Sequence, residues 1–236
     1  MKKTIIIILL CLSQTGQAQL FSKEKVANRI NFDQKFLSWG FFLGFNSYDF
    51  KFDYQQNLED ILVQRTAGFQ VGLIGDMRIN DFFNLRLEPG VHFTTRTLNY
   101  NPSYFAGTQF DNNDLVREVK SAYIHLPLLI KASTKRINNF KPFIIGGVST
   151  AINLSANEDN PDDNRVEQFR MTSNNFFYEI GFGIDFYTQY FKFSPSIRGV
   201  FGFNDELVRD ADPNSPWTGN IAQMNTRAIF INFTFQ

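Results

Sequence analysis

The sequence predicts an all-β fold: an eight-stranded antiparallel transmembrane β-barrel with short periplasmic turns and four long extracellular loops. Three observations predict it. The chain opens with an apolar leader of the kind that marks exported proteins. Apolar and polar residues then alternate with period two, over segments of about ten residues. Tight turns and long polar links alternate between those segments, which soluble compact domains rarely do.

The leader comes first. Lys2 and Lys3 form a basic start, Thr4 to Leu12 is an apolar run, and Gly16-Gln17-Ala18 places small residues at the positions a signal peptidase reads. Residues 1–18 are therefore expected to be a cleaved signal peptide. Cys11 has no small residue just before it, which argues against a lipoprotein cleavage site. Cleavage would leave a chain without cysteine, and so without disulfides or thiolate metal sites. Residues 19–36 follow as a polar periplasmic lead-in, and residues 37–236 form the barrel domain. Beyond the leader no stretch of apolar residues is long enough for a transmembrane helix.

The strands follow in order. Trp39, Phe41, Leu43 and Phe45 alternate with Gly40, Phe42, Gly44 and Asn46. Phe69, Val71, Leu73 and Met77 alternate with Gln70, Gly72, Asp76 and Arg78. The clearest run sets Phe83, Leu85, Leu87, Pro89, Val91 and Phe93 against Asn84, Arg86, Glu88, Gly90, His92 and Thr94. Ile124 to Ile130, Phe140 to Leu154, Phe176 to Phe186, Phe191 to Phe201 and Ile229 to Phe235 complete eight strands. Residues 49–66, 98–118, 155–174 and 204–222 read as outer loops, and 79–82, 133–139 and 188–189 as periplasmic turns. An even count returns both termini to the periplasm.

The 28 phenylalanines suit a wall that faces lipid. Trp39, Phe82, Phe140, Tyr187, Tyr190 and Phe235 are expected near the periplasmic interface, and Phe45, Tyr48, Tyr123, Phe176 and Phe203 near the outer one. A soluble lipocalin-like barrel or sandwich is the alternative. Lysine plus arginine equals aspartate plus glutamate, at 23 each, so no basic surface for nucleic acid is expected.

An eight-stranded barrel is just wide enough for side chains to fill. The inward charges are Asp76, Arg78, Arg86, Glu88, Arg96, Lys131, Glu179, Asp185, Lys192 and Arg198, of both signs, so pairing within the lumen is expected. His92 and His125 are also inward. A barrel enzyme using His92 or His125 remains a rival, with His92 beside Glu88 or Ser194 as one arrangement, but eight strands offer many such triples. No HExxH, GxSxG or phosphate-binding glycine loop occurs. The expectation is a non-enzymatic protein with no cofactor, no metal, no nucleic acid and no small-molecule substrate.

The outer loops carry the candidate partner-binding residues: Glu158, Asp159, Asp162 and Asp163 in NEDNPDDN, and Asp205, Glu206, Arg209, Asp210 and Trp217 in NDELVRDADPNSPWTGN. NEDNPDDN lacks EF-hand spacing, so calcium there stays an open alternative. Trp217 in a polar loop reads as a contact residue.

Four stretches carry a resemblance: LSWGFFLGFNSYDFKFDY (37–54), REVKSAYIHLPLLIKASTKR (117–136), KPFIIGGVSTAINLSANEDNPDDN (141–164) and GFGIDFYTQYFKFSPSIRGVFGFNDELVRDADPNSPWTGN (181–220). In these, and in the terminal FINFTF, the chain resembles the PorT/SprT family, outer-membrane barrel components of the Bacteroidetes type IX secretion system. YIHLPLLIK is common to many barrels, whereas the two loop phrases are specific. The resemblance implies a role in protein secretion, and in gliding motility where that occurs, with other type IX subunits and outer-membrane lipid as partners and no catalytic residues. A small structural or adhesive outer-membrane barrel is the rival reading of the same fold.

Overall fold

The computed structural model describes residues 28–29, 31–107, 109–158, 160 and 169–236. The leader expected at 1–18, and most of the lead-in up to residue 27, lie outside the described residues. Ten strands form one antiparallel sheet: β1 (Leu37–Tyr54), β2 (Leu62–Arg65), β3 (Ala67–Arg78), β4 (Phe83–Leu87), β5 (Gly90–Asn99), β6 (Val116–Ser133), β7 (Phe140–Asn153), β8 (Asn174–Tyr187), β9 (Lys192–Gly202) and β10 (Ile221–Phe235). Each strand from β6 to β10 pairs with the next. β6 pairs β4 and β5, those pair β3, and both β3 and β10 pair β1, so the sheet closes on itself. Among the described residues the lipid-spanning part leaves no open edge, which is what hydrocarbon demands of a spanning sheet, whereas above it β2 pairs only β5 and β1 beyond Ser47 pairs only β10.

The count of ten resolves into eight staves, two of them interrupted. β2 and β3 run along one stave, broken at Thr66, where the register against β5 shifts by one residue, from Arg65↔Arg96 to Phe69↔Phe93. β4 and β5 form the next stave, broken at Glu88 and Pro89. Register continues across that break, with Leu87↔Leu128 on one side and Gly90↔His125 on the other. Pro89 has no amide to donate, and neither does Pro127 on the neighbouring stave, so ladder rungs are missing there. The Pro89 carbonyl instead accepts the Leu73 amide at 2.9 Å.

The first loop is shorter than expected. The 49–66 link shrinks to residues 55–61, because β1 runs on to Tyr54 and β2 starts at Leu62. The other outer links, 100–115, 154–173 and 203–220, are long, and the periplasmic turns are short.

The outer wall shows where lipid ends. On β1 the outward residues are Leu37, Trp39, Phe41, Leu43 and Phe45, all exposed. The same face then continues as Ser47, Asp49, Lys51 and Asp53. These polar positions lie opposite Ile229, Arg227, Asn225 and Gln223 of β10. The apolar band on β1 is thus nine residues long, the length a tilted transmembrane strand needs. On β6, Ala122 to Ile130 form the band, and Glu118 and Lys120 pair at 3.0 Å above it. The strands therefore rise well past the lipid.

Stacked rings mark both rims. Phe41 stacks on Phe235 at 5.2 Å at the periplasmic end, and Phe69 on Phe93 at 4.9 Å at the outer end. Three expected interface aromatics point inward instead: Tyr48 and Tyr123 stack on each other at 5.4 Å inside the lumen, and Tyr187 is buried at the periplasmic mouth. Period two is the reason, since each sits on the inward phase of its strand.

Ile180 sits mid-strand on the apolar face of β8 and is 64% exposed. Ile180→Arg is expected to cost about 2–4 kcal/mol, read by denaturant unfolding in lipid vesicles. Glu118→Arg, on the charged extension, is expected to cost under about 1 kcal/mol. Equal costs at the two positions would place Ile180 outside the lipid.

Candidate functional site

The interior is built in layers, set by which inward residues each strand supplies at each height. The layer toward the periplasm is ionic. Arg86 of β4 donates to Asp76 of β3 from Nε at 3.0 Å and from Nη2 at 2.6 Å, and its Nη1 reaches Glu88 at 3.3 Å. Arg198 of β9 crosses the lumen to bond Glu88 and also donates to Glu179 of β8 at 2.7 Å. Lys131 of β6 pairs with Asp185 at 2.5 Å, and Ser194 donates to the other oxygen of that carboxylate at 2.6 Å. Each of these acids carries a cationic partner, as groups almost fully withdrawn from water must.

Three of the expected inward charges stand apart from that network. Arg78 lies at the rim and pairs with Asp81. Arg96 is fully buried but bonds only neutral oxygens: Thr226 Oγ1 at 3.1 Å, Ser121 Oγ at 2.9 Å and Tyr123 Oη at 2.9 Å. Its guanidinium lies 3.8 Å over the Phe50 ring, and ring faces attract cations. Lys192 is buried at the periplasmic mouth and takes part in none of the ion pairs among the described residues.

The middle layer holds both histidines. His92 Nδ1 lies 3.1 Å from Tyr48 Oη, and its ring meets Phe230 edge-on at 4.9 Å. His125 Nε2 lies 2.9 Å from Ser149 Oγ and 3.1 Å from Glu179 Oε1. Both contacts fall on one ring nitrogen. A nucleophile relay needs the acid on one nitrogen and the hydroxyl on the other, so this trio does not form one. Of the partners considered for His92, Glu88 is bound to arginines and Ser194 to Asp185.

Above the lipid the outer mouth is closed by an apolar core. Phe50, Ile61, Leu98, Tyr100, Phe105, Val119, Phe169, Met171, Leu207, Trp217, Ile221 and Met224 form one buried cluster. Trp217 is 7% exposed, so it is not a surface contact residue. Its indole donates to Asp114 O at 3.0 Å, Phe105 meets it edge-on at 5.6 Å, and the Arg117 guanidinium sits 4.6 Å from its ring. Two acids of the same loop are also inside. Asp210 accepts from Ser215 at 2.5 Å and Thr218 at 3.1 Å. Glu206 accepts from the Thr226 amide and hydroxyl, both at 2.8 Å. Burial pushes the Glu206 carboxyl up to about 7, against the opposing pull of Arg96 and the Thr226 bonds.

The remaining loop candidates divide as follows. Arg209 is exposed and pairs with Asp205 at 2.9 Å, and Glu158 is exposed and accepts the Ser173 amide at 2.7 Å. Asp159, Asp162 and Asp163 lie outside the described residues, so the NEDNPDDN site is described only at its edges. No group of three or more His, Cys, Asp or Glu suited to a metal occurs among the described residues.

The periplasmic closure goes beyond the polar lead-in that the sequence predicts at residues 19–36. From Asn28 onward the described residues pack into the mouth. The Asn28 amide bonds Asn139 Oδ1 at 2.9 Å, and Arg29 donates to the carbonyls of Tyr190 at 3.0 Å and Gln236 at 3.1 Å. Arg136 donates back to the Asn28 carbonyl. Phe32, in a short turn at Phe32–Gln34, is buried beneath the cations of Arg29, Lys35 and Lys192. An aromatic flanked by basic residues, at 29–35, is the signal that was available.

A closed antiparallel barrel of eight staves, with an apolar band and aromatic rims, defines a small outer-membrane barrel protein. The sequence matches the family described as outer membrane protein beta-barrel domain over residues 17–208, and the chain belongs to that family. No curated protein matches the chain. Among solved structures it is similar to the outer membrane protein OprG from Pseudomonas aeruginosa, at 14% identity and a TM-score of 0.42, over 84% of this chain and 93% of that one. It is likewise similar to Neisserial surface protein A, at 10% identity and a TM-score of 0.42, over 85% and 98%. A third is the outer membrane enzyme PagL, at 11% identity and a TM-score of 0.40, over 82% and 97%. Likeness at this level assigns no activity.

Proposed function

We propose that the protein is a non-enzymatic scaffold of the outer-membrane stage of protein export, a component of a type IX secretion machine. The observation that carries this reading is the filled interior: an ionic layer, an aromatic layer and an apolar cap follow one another from mouth to mouth, leaving no route for a polypeptide. Exported cargo would then cross by a larger partner pore, and this barrel would hold or assemble that partner. The loop phrases of 157–164 and 204–220, which carry the resemblance to the PorT/SprT family, support the secretion role. The exposed Arg209–Asp205 pair and Glu158 offer polar docking points from outside. The leader at 1–18 would deliver the chain to the membrane and be removed.

Deletion of the gene is expected to trap folded cargo proteins in the periplasm while other outer-membrane proteins insert normally. Cell fractionation with immunoblotting of cargo checks it. Unchanged secretion in the deletion strain would refute the role.

A further inference from the structure

We propose that the periplasmic mouth is a binding site for a single oxyanion, a phosphate or carboxylate group carried by a periplasmic ligand. A cavity of about 210 Å³ opens there beneath Phe32. Four cations line it, Lys35, Arg78, Lys141 and Lys192, against two carboxylates, Asp33 and Asp81. Both carboxylates are committed. Asp33 accepts the Tyr187 hydroxyl on its two oxygens, at 2.7 and 2.9 Å, and Asp81 pairs with Arg78. The lining therefore keeps an excess of positive charge.

Two of the ammonium groups open on this cavity with little bonding from the protein. Lys192 is 4% exposed, and among the described residues it makes no side-chain hydrogen bond or ion pair; the Phe32 ring lies 4.7 Å from its Nζ. Lys141 is 8% exposed, and among the described residues its Nζ reaches only the Asp81 carbonyl, at 3.5 Å. Asp185, Asp76 and, more weakly, Asp33 act on Lys192 through space. They are already bonded, Asp185 to Lys131 and Ser194, and Asp76 to Arg86 and Asn84. An ammonium that faces a cavity bonds water or an anion there, and charge-assisted bonds to an anion are the stronger of the two. The cavity is smaller than the roughly 300–1,000 Å³ of sites for drug-sized ligands. It suits one anionic group. The site does not depend on the secretion role.

The test uses the full barrel in detergent micelles with lysine Cε carbons labelled. Inorganic phosphate and acetate are titrated separately at constant ionic strength, and the Lys141 and Lys192 signals are followed. At least one anion is expected to saturate both signals with a roughly millimolar Kd or tighter. Saturation by phosphate alone assigns a phosphate-bearing ligand, and by acetate a carboxylate-bearing one. Lys192→Met removes no hydrogen bond or ion pair among the described residues and is expected to fold, as shown by heat-modifiable gel migration. It should weaken binding about tenfold or more, as should Lys141→Met, whereas Lys51→Met on the outer wall should not. No saturation by either anion, or equal affinity in both mouth variants and the native protein, overturns the proposal.

Discussion

Arg198→Met is expected to destabilise the barrel by about 3–5 kcal/mol, one of the two largest single effects in the molecule. The side chain is buried and holds two carboxylates, Glu88 across the lumen and Glu179 beside it. Without it, among the ion pairs of the described residues, Glu88 keeps the 3.3 Å contact to Arg86 and Glu179 the 3.1 Å contact to His125. The cost is that of buried acids left short of countercharge rather than of lost attraction. Neutralising the two acids as well should rescue the barrel. The triple variant Arg198→Met, Glu88→Gln, Glu179→Gln removes all three charges and should recover most of the loss. Urea unfolding in lipid vesicles measures both. A single variant as stable as the native protein would show that the crossing arginine does not neutralise these acids.

Trp217→Ala is expected to cost about 3–5 kcal/mol within the outer cap, because the indole fills the centre of a dry cluster. The wall below should persist, since its ladder and charge network do not involve this loop. Hydrogen exchange separates the two: peptides from 98–105 and 204–220 should lose protection by a hundredfold or more, and peptides from 124–131 should not, the factor following from about 1.4 kcal/mol per decade. The cap is also pH-dependent. Glu206 has its carboxyl raised from its ordinary value of 4.5 to about 7, so the folded cap binds a proton that the opened loop releases. Its contribution is complete below about 4.5 and is lost as pH rises through about 7. After correction for intrinsic rates, the cap should exchange faster at alkaline than at acidic pH, and Glu206→Gln should remove the difference. Uniform protection across that range would show that Glu206 stays ionised in the cap.

The wall was legible in the sequence because a sheet between two solvents writes its orientation at every second residue. Phe83, Leu87 and Phe93, and Phe176, Ile180 and Phe182, face outward as their alternation predicts, and Arg86, Glu88, Glu179 and Asp185 face inward. The closures were not legible in that way. Ile61, Phe105, Phe169, Leu207 and Trp217 come from different links and follow no period, so their meeting depends on how the loops fold over the mouth. Trp217 was misread for that reason: a lone aromatic in a polar loop looks the same whether it faces a partner or its own chain. The interruption at Glu88–Pro89 depends on a second proline, Pro127, some forty residues away on an adjacent stave. Lys192 was read correctly as inward, but only the surrounding geometry shows that the available acids are bonded to other groups.

The crossing arginine has a consequence for the order of assembly. Arg198 and Glu88 are 110 positions apart along the chain, and Arg29 and the Gln236 carbonyl are 207 apart. Closing contacts of such span is entropically slow and is repaid only at the end. A nascent sheet with its last hairpin unplaced would leave Glu88 and Glu179 without the arginine they share, a state that a low-dielectric surrounding penalises heavily. Partial insertion therefore has no resting point, and joining the first stave to the last is the committing step that makes biogenesis of this protein all-or-none.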